Sequence, residues 1–349
     1  LITLGGNITV PAGGDYDTPP INGSGHFKID GGGHTITWES TANNHHLLGN
    51  TSPDADAVYI ELTNINLDRQ DMNAAVGVYN GKITLGKDVA LSGQDGNMIL
   101  ANGEKAALEL GDGCELSYAA GSSPCCASAW FGAILVLNGG KTAAGAYIGL
   151  DCNFYPAVSY PLISVPKALT GDVHLLLKMI GTTPVAQGIG NYQLTQADCD
   201  RLKVNPESTV SLYMGQRDKY DGNFELHLDP AASFQIKLRP KNFTPPTSGN
   251  IDVTNMTDVV AQITIRAALE AGHTDLKLTG ELSKIGIGGQ WGTFANNTQI
   301  TTCDLTEVTG WGTTPTLPEL AFKDCTKLQE VTLPDGVQVI GEYLSLIHI

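Results

Sequence analysis

Carboxylates are the groups in this chain whose types and spacing come nearest to chemistry. Asp54, Asp56, Asp68 and Asp71 lie close together in sequence. Gathered on adjacent turns, they would hold a Ca²⁺ ion or the hydroxyls of a sugar. Cleaving a polysaccharide asks for more: paired carboxylates on one face, with a basic or Ca²⁺-assisted partner. The chain has no Asp-Asp pair and no His-Gly step of the polygalacturonase type. With 36 acidic residues against 20 basic ones, solvated loop carboxylates are the commoner case. No metal site is therefore expected, and these four are weak candidates. Arg69, beside Asp68, is expected to form a surface pair of little energetic weight.

Other signals for a bound ion or cofactor fail on geometry. Adjacent side chains of an extended chain point opposite ways, so His45 and His46 cannot chelate one ion together. Asn138-Gly-Gly140-Lys141-Thr142 ends like a phosphate-binding loop, but Leu135 stands where that loop needs glycine. No cofactor is expected. The seven cysteines include no CxxC pair, so neither zinc nor a thioredoxin-like dithiol is supported. Most occupy apolar positions of strand-like segments and are expected to be small buried hydrophobes. Cys125-Cys126 has nothing nearby in sequence to lower a thiol pKa.

Aromatic residues are the better binding candidates. Trp38, Trp130-Phe131, Tyr155, Tyr160, Trp291 and Trp311 include several beside Gly or Pro in loops. There a flat ring can stack on a sugar. Trp38, Trp130, Tyr155, Trp291 and Trp311 are the expected contact residues, against the alternative that they fill the core or stack at corners. The formal charge of −16 repels phosphate backbones and makes polyuronates a poor match, so no nucleic acid is expected. A neutral glycan or a protein partner suits that field better. No apolar run approaches the roughly 18 residues of a membrane helix.

These residues must be positioned by short, repeated strands. The pattern apolar-x-apolar-Gly-x-x-apolar-x-apolar occurs at Ile2–Val10, Ile83–Leu91 and Leu108–Leu116, the last two 25 residues apart. Two alternating arms around a glycine corner, at a fixed period, predict stacked coils of a solenoid. Looser copies are Phe27–Trp38, Ile60–Leu67, the stretch from Ile134, Phe224–Leu228 and Phe234–Leu238. The alignment places Cys114 over Val89. Thr195-Gln-Ala-Asp198 reads as a capping box opening a short helix. Residues 239–250 carry three prolines among polar residues and read as a linker. Beyond it, Asp258–Ala271 reads as a helix stopped by Gly272, and Leu276–Leu278 and Ile285–Ile287 read as strands.

A second repeat follows, in which Phe294, Thr298, Ile300, Cys303 and Leu305 recur 28 residues later as Phe322, Thr326, Leu328, Val331 and Leu333. The segment from Leu320 to Gly341, with Ala321-Phe322, Cys325, Leu328 and Val331-Thr-Leu333-Pro, resembles the unit of BspA-type bacterial leucine-rich repeat proteins. Trp311-Gly-Thr-Thr-Pro in the first copy departs from that unit and fits an atypical capping repeat. The stretch Ile29-Asp-Gly-Gly-Gly-His-Thr-Ile36 resembles coils of right-handed parallel β-helices of the pectate-lyase-like and adhesin type. Both ends read as truncated, since the chain opens inside a strand pattern without Met. The last six residues, 344–349, match the translation of a sequencing adapter and read as a scar.

The expected fold is mainly β: a right-handed parallel β-helix over 1–238, a linker over 239–250, and a helix plus BspA-like leucine-rich repeats over 251–349. The resemblance implies a bacterial cell-surface or secreted protein that adheres to a glycan or a host protein. A β-helix carbohydrate lyase or glycoside hydrolase is the first alternative, and a structural stalk the second. Many unrelated functions share such solenoids.

Overall fold

The computed structural model describes residues 1–10, 24–39, 48–50, 52–69, 75–93, 98–119, 125–151, 162–180, 184–211, 218–220, 222–229, 234–288 and 292–344. Parallel strands stack coil upon coil, as a parallel β-helix requires. Two sheets enclose the larger core. In the first, Phe27, Ile60, Ile83, Leu108, Leu135, Ile163 and Ala186 form one row across seven strands. Ile29, Leu62, Leu85, Leu110 and Leu137 form the next inward row, two residues along. The second sheet runs through Val76–Val78, Ile99–Asn102, Cys125–Trp130, Tyr147–Asp151 and Val173–Ile180. Side chains alternate across each strand, so every second residue enters the shared interior. Burying each Leu or Ile there contributes about 1.5–3 kcal/mol, and only the neighbouring coils provide the cover.

The corners explain the pattern. Gly25–Trp38 is one long strand that turns midway where Gly32 and Gly33 take φ of 59° and 81°. Val58–Arg69 turns at Asn64, φ 47°, and the next coil at Asp88, φ 55°. Asn and Asp tolerate this left-handed conformation better than other side chains. The exact 25-residue period holds on the first arm, where Leu108 pairs with Ile83. On the second arm Tyr118, not Leu116, pairs with Leu91. That slip of two residues keeps the apolar set facing inward, so it costs no burial. It removes the expected alignment of Cys114 with Val89.

Three further expectations change. Phe224–Asp229 and Gln235–Pro240 are not further coils: they form an antiparallel hairpin whose second strand also runs antiparallel to Ala186–Gly188. The connection between them is far shorter than the dozen residues that a parallel crossover needs. Ile285–Ile287 is not a strand, because Leu282–Ile285 closes a helical turn with Gly286 in the left-handed cap. Arg69 is not a surface group. It is 1% exposed, in a row between Trp38 and Gly93.

Helix Gln196–Arg201 opens on Thr195 with both bonds of the capping box present. Helix Asp258–Glu270 is capped by the Thr257 side chain and followed by Gly272, φ 90°. Its Val259 and Ile263 belong to the larger core, while Ala261, Ile265, Ala268 and Leu269 belong to a smaller one. The smaller core lies under a parallel sheet of Asn250–Asp252, Asp275–Glu281, Thr302–Thr309 and Glu330–Thr332. The 28-residue repeat is a coil-on-coil repeat there: Cys303 pairs with Val331, and Phe294 stacks on Phe322 at 5.1 Å. Among the described residues no helix is long and apolar enough to cross a membrane.

Candidate functional site

Of the expected contact residues that are described, Trp38, Trp130 and Trp311, it is Trp130 that the fold presents at a cleft. Strand Cys125–Trp130 lies between Ile99–Asn102 and Tyr147–Asp151 in the second sheet. Alternation sends Ala127 and Ala129 into the core, where Ile148 and Leu150 meet them. The alternate residues point away from the core in two rows, of which the first is largely buried. One row is Leu100, Ser128, Gly149 and Leu176; the other is Asn102, Trp130, Asp151 and Lys178.

Gly149 creates the depression. A Cβ there would come within 2.7 Å of both the Cys125 sulfur and the Ser128 hydroxyl. Trp130, Asp151, Leu176, Lys178 and Cys125 border the resulting cleft of about 140 Å³. Phe131, at φ 52°, turns the chain out of the strand and meets the Trp130 indole edge-on at 6.2 Å. The Lys178 ammonium lies 3.9 Å from the Asp151 carboxylate. Asp151 keeps 16% of its side chain exposed and Lys178 49%, so both remain accessible to solvent at the cleft. Beyond Gly149, Tyr147 meets His174 edge-on at 5.5 Å. The Thr142 hydroxyl lies 2.8 Å from His174 Nδ1 and holds that ring.

This arrangement suits a ring that stacks on the indole while its hydroxyls reach a carboxylate and an ammonium on the next two coils. It does not suit thiol chemistry. Burial pushes the Cys125 thiol up, against smaller lowering by the Ser128 hydrogen bond and by Lys178, so the nucleophilic thiolate is suppressed.

The remaining candidates fall elsewhere. Trp38 is 1% exposed and packs within the larger core, so burial removes it from the contact set. Trp311 is half-buried against the smaller core, and its indole N–H donates to Val308 O at 2.7 Å. It seals a turn. Tyr155, Trp291 and Asp71 lie outside the described residues. Asp54 and Asp56 are exposed ahead of the strand Val58–Arg69, whereas Asp68 is at that strand's far end and accepts from Ser92 Oγ at 3.1 Å. Among the described residues no three His, Cys, Asp or Glu side chains gather as a metal site would need.

Two carboxylates outside the expected set, Asp30 and Asp88, border a second groove. Asp30, Asn64, Asn66 and Asp88 border an open groove of about 460 Å³ at the corners of three coils. Asp30 accepts from Asn64 Nδ2 and from the Gly32 backbone N–H, each at 3.0 Å. Those two bonds, Asn64's first, hold its carboxyl below the usual range. A carboxyl lowered in this way is a poor general acid. The available signal was positional but loose: Asp30, Asn64 and Asp88 come one, two and three residues after the last inward residue of an arm, namely Ile29, Leu62 and Leu85. No family model, curated protein or solved structure matches this chain.

Proposed function

We propose that this chain is a binding module that takes an uncharged glycan in the Trp130 cleft. The observation that carries this reading is the outward row Trp130–Asp151–Lys178: an aromatic face, an acceptor and a donor on three successive coils. The two charges lie close to each other and cancel, so a neutral, hydroxyl-rich ring is favoured over an ionic one. A net charge of −16 acts in the same direction against polyuronates. Adhesion to a glycan or host protein outside a bacterial cell, with residues 251–349 reading as BspA-like leucine-rich repeats, belongs to the same proposal. The 28-residue stacking of Phe294 on Phe322 supports the repeat part of it.

Carbohydrate cleavage is the weaker reading. It needs one carboxyl kept protonated beside a second that is ionised, and the Asp30 groove offers a carboxyl held low. A bare stalk would have no use for the Trp130 row.

Neutral glycans screened against the chain by calorimetry, with Trp130 fluorescence followed in parallel, test the proposal. Trp130→Ala is expected to weaken binding about tenfold, the equivalent of about 1.4 kcal/mol of stacking. Unchanged affinity in that variant, or cleavage products in the same mixtures, would overturn it.

A further inference from the structure

We propose that the outward face of the first sheet is a second glycan site, so that one molecule holds two uncharged polysaccharide strands and cross-links them. The proposal rests on the glycan reading of the Trp130 cleft but uses different residues on a different sheet. While Phe27, Ile60 and Ile83 face the core, the residues beside them face out. His26 pairs with Tyr59, and Tyr59 with Lys82; Lys28 pairs with Glu61, and Glu61 with Thr84. The His26 and Tyr59 rings lie parallel within 8° at 4.5 Å. Tyr59 is 38% exposed, a large side chain left outside the core. Together these six residues border an open groove of about 390 Å³ that spans three coils.

Two arguments fix the ligand class. The groove is open along its length, whereas a small molecule is held by enclosure of most of its surface. An extended chain lying across the coils fits instead. Its charges are also already paired within the wall: Lys28 with Glu61 and Lys82 with Glu109, each at 2.5 Å. An ionic ligand would have to break a pair or desolvate another charge beside it. Hydroxyl groups can use the lone pairs and protons that those pairs leave over, and sugar C–H faces can lie on the Tyr59 ring.

The two sheets back onto one core, so the grooves open on different faces and are free to engage different strands. Two sites on one rigid body raise avidity and permit bridging. The test uses the full chain with hydroxyethylcellulose, galactomannan and dextran as probes, affinity electrophoresis for binding and light scattering for cross-linking. At least one probe is expected to be bound and cross-linked by the unaltered chain. Tyr59→Ala and His26→Ala, both exposed positions, are expected to abolish cross-linking while retaining the tenfold response to Trp130→Ala. The double variant Tyr59→Ala/Trp130→Ala is expected to lose both signals. Cross-linking that survives Tyr59→Ala and His26→Ala overturns the second site and leaves the first. Binding insensitive to Trp130→Ala but lost in Tyr59→Ala overturns the first. No retardation by any probe overturns both.

Discussion

Tyr192 donates its phenolic proton to Asp198 across 2.5 Å, and Asp198 also accepts from Thr195 N, Thr195 Oγ1 and Leu169 N. A carboxylate that is 2% exposed thus ties the short helix to a neighbouring loop with four donated protons. Burial alone would raise its pKa, but the hydrogen bonds from Tyr192, Leu169 and Thr195 outweigh that, and the net direction is down from 3.8. A depressed folded pKa contributes stability that is present above the unfolded value and is lost as pH falls through the folded one. The melting temperature is therefore expected to drop on acidification below about pH 4, with a shallower drop in Asp198→Ala. At neutral pH that variant is expected to lose about 2 kcal/mol, since the buried Leu169 N–H and the partly buried Thr195 N–H lose their acceptor. Thermal melts across pH 3–7 check both; parallel pH profiles for the two proteins would remove Asp198 as the titrating group.

Gly81 separates steric necessity from simple turn preference. It sits at φ 125° directly against Val58, and a Cβ would lie 1.9 Å from Val58 O. Gly103, at φ 94°, has nothing within 4 Å of its Cβ position. Gly81→Ala is expected to cost more than about 3 kcal/mol, because both strain and a backbone clash arise. Gly103→Ala is expected to cost about 1–2 kcal/mol, from the left-handed backbone alone. Equal melting temperatures in the two variants would show that coils can separate at Gly81 without penalty.

The coil architecture was legible because its driving force is periodic. Inward residues such as Ile83 and Leu108 must recur at matching positions or the interior has a hole. Corner chemistry was less legible. The glycine common to the nine-residue repeats is not where the chain turns left-handed. At Gly86 it leaves room for Thr63 of the preceding coil, while Asp88 takes the positive φ. Outward residues carry no period at all, since solvent accepts almost anything. Hence Trp38 and Trp130 look alike in sequence although one is sealed in the core and the other borders a cleft. The Asp30 groove was only half legible for a related reason: corner positions mark its residues one at a time, but its parts come from three coils, and only register brings them together.

The cysteines give a chemical test of burial. Cys114, Cys125, Cys126, Cys199, Cys303 and Cys325 are all buried and form no disulfide. Desolvation, the largest cause in each case, raises their thiols; Cys199 and Cys325 are pushed up to about 11, and Cys114 to about 12. Only the thiolate attacks an alkylating agent. At pH 8, iodoacetamide is expected to leave these six unmodified in the native protein and to modify them in guanidinium chloride, as read by peptide mass spectrometry. Native labelling of Cys125 at a rate near that of a free thiol would mean that the Trp130 cleft opens far wider than its walls indicate.

The helix Asp258–Glu270 decides whether the chain melts as one body or two. Ile263 packs into the larger core and Ile265 into the smaller, and Lys237 lies 4.0 Å from Glu270 across the same junction. Residues 239–250 thus join two cores that share a helix, and unfolding either exposes one side of it. A single calorimetric transition is expected for the unaltered chain. Ile263→Ala, which removes about 2–4 kcal/mol of packing from one side only, is expected to split it, with the larger core melting first. Ile265→Ala is expected to reverse the order. The ion pair is too exposed to hold the junction by itself, so Glu270→Gln should leave the single transition intact. Two well-separated transitions in the unaltered chain would mean that the shared helix couples nothing.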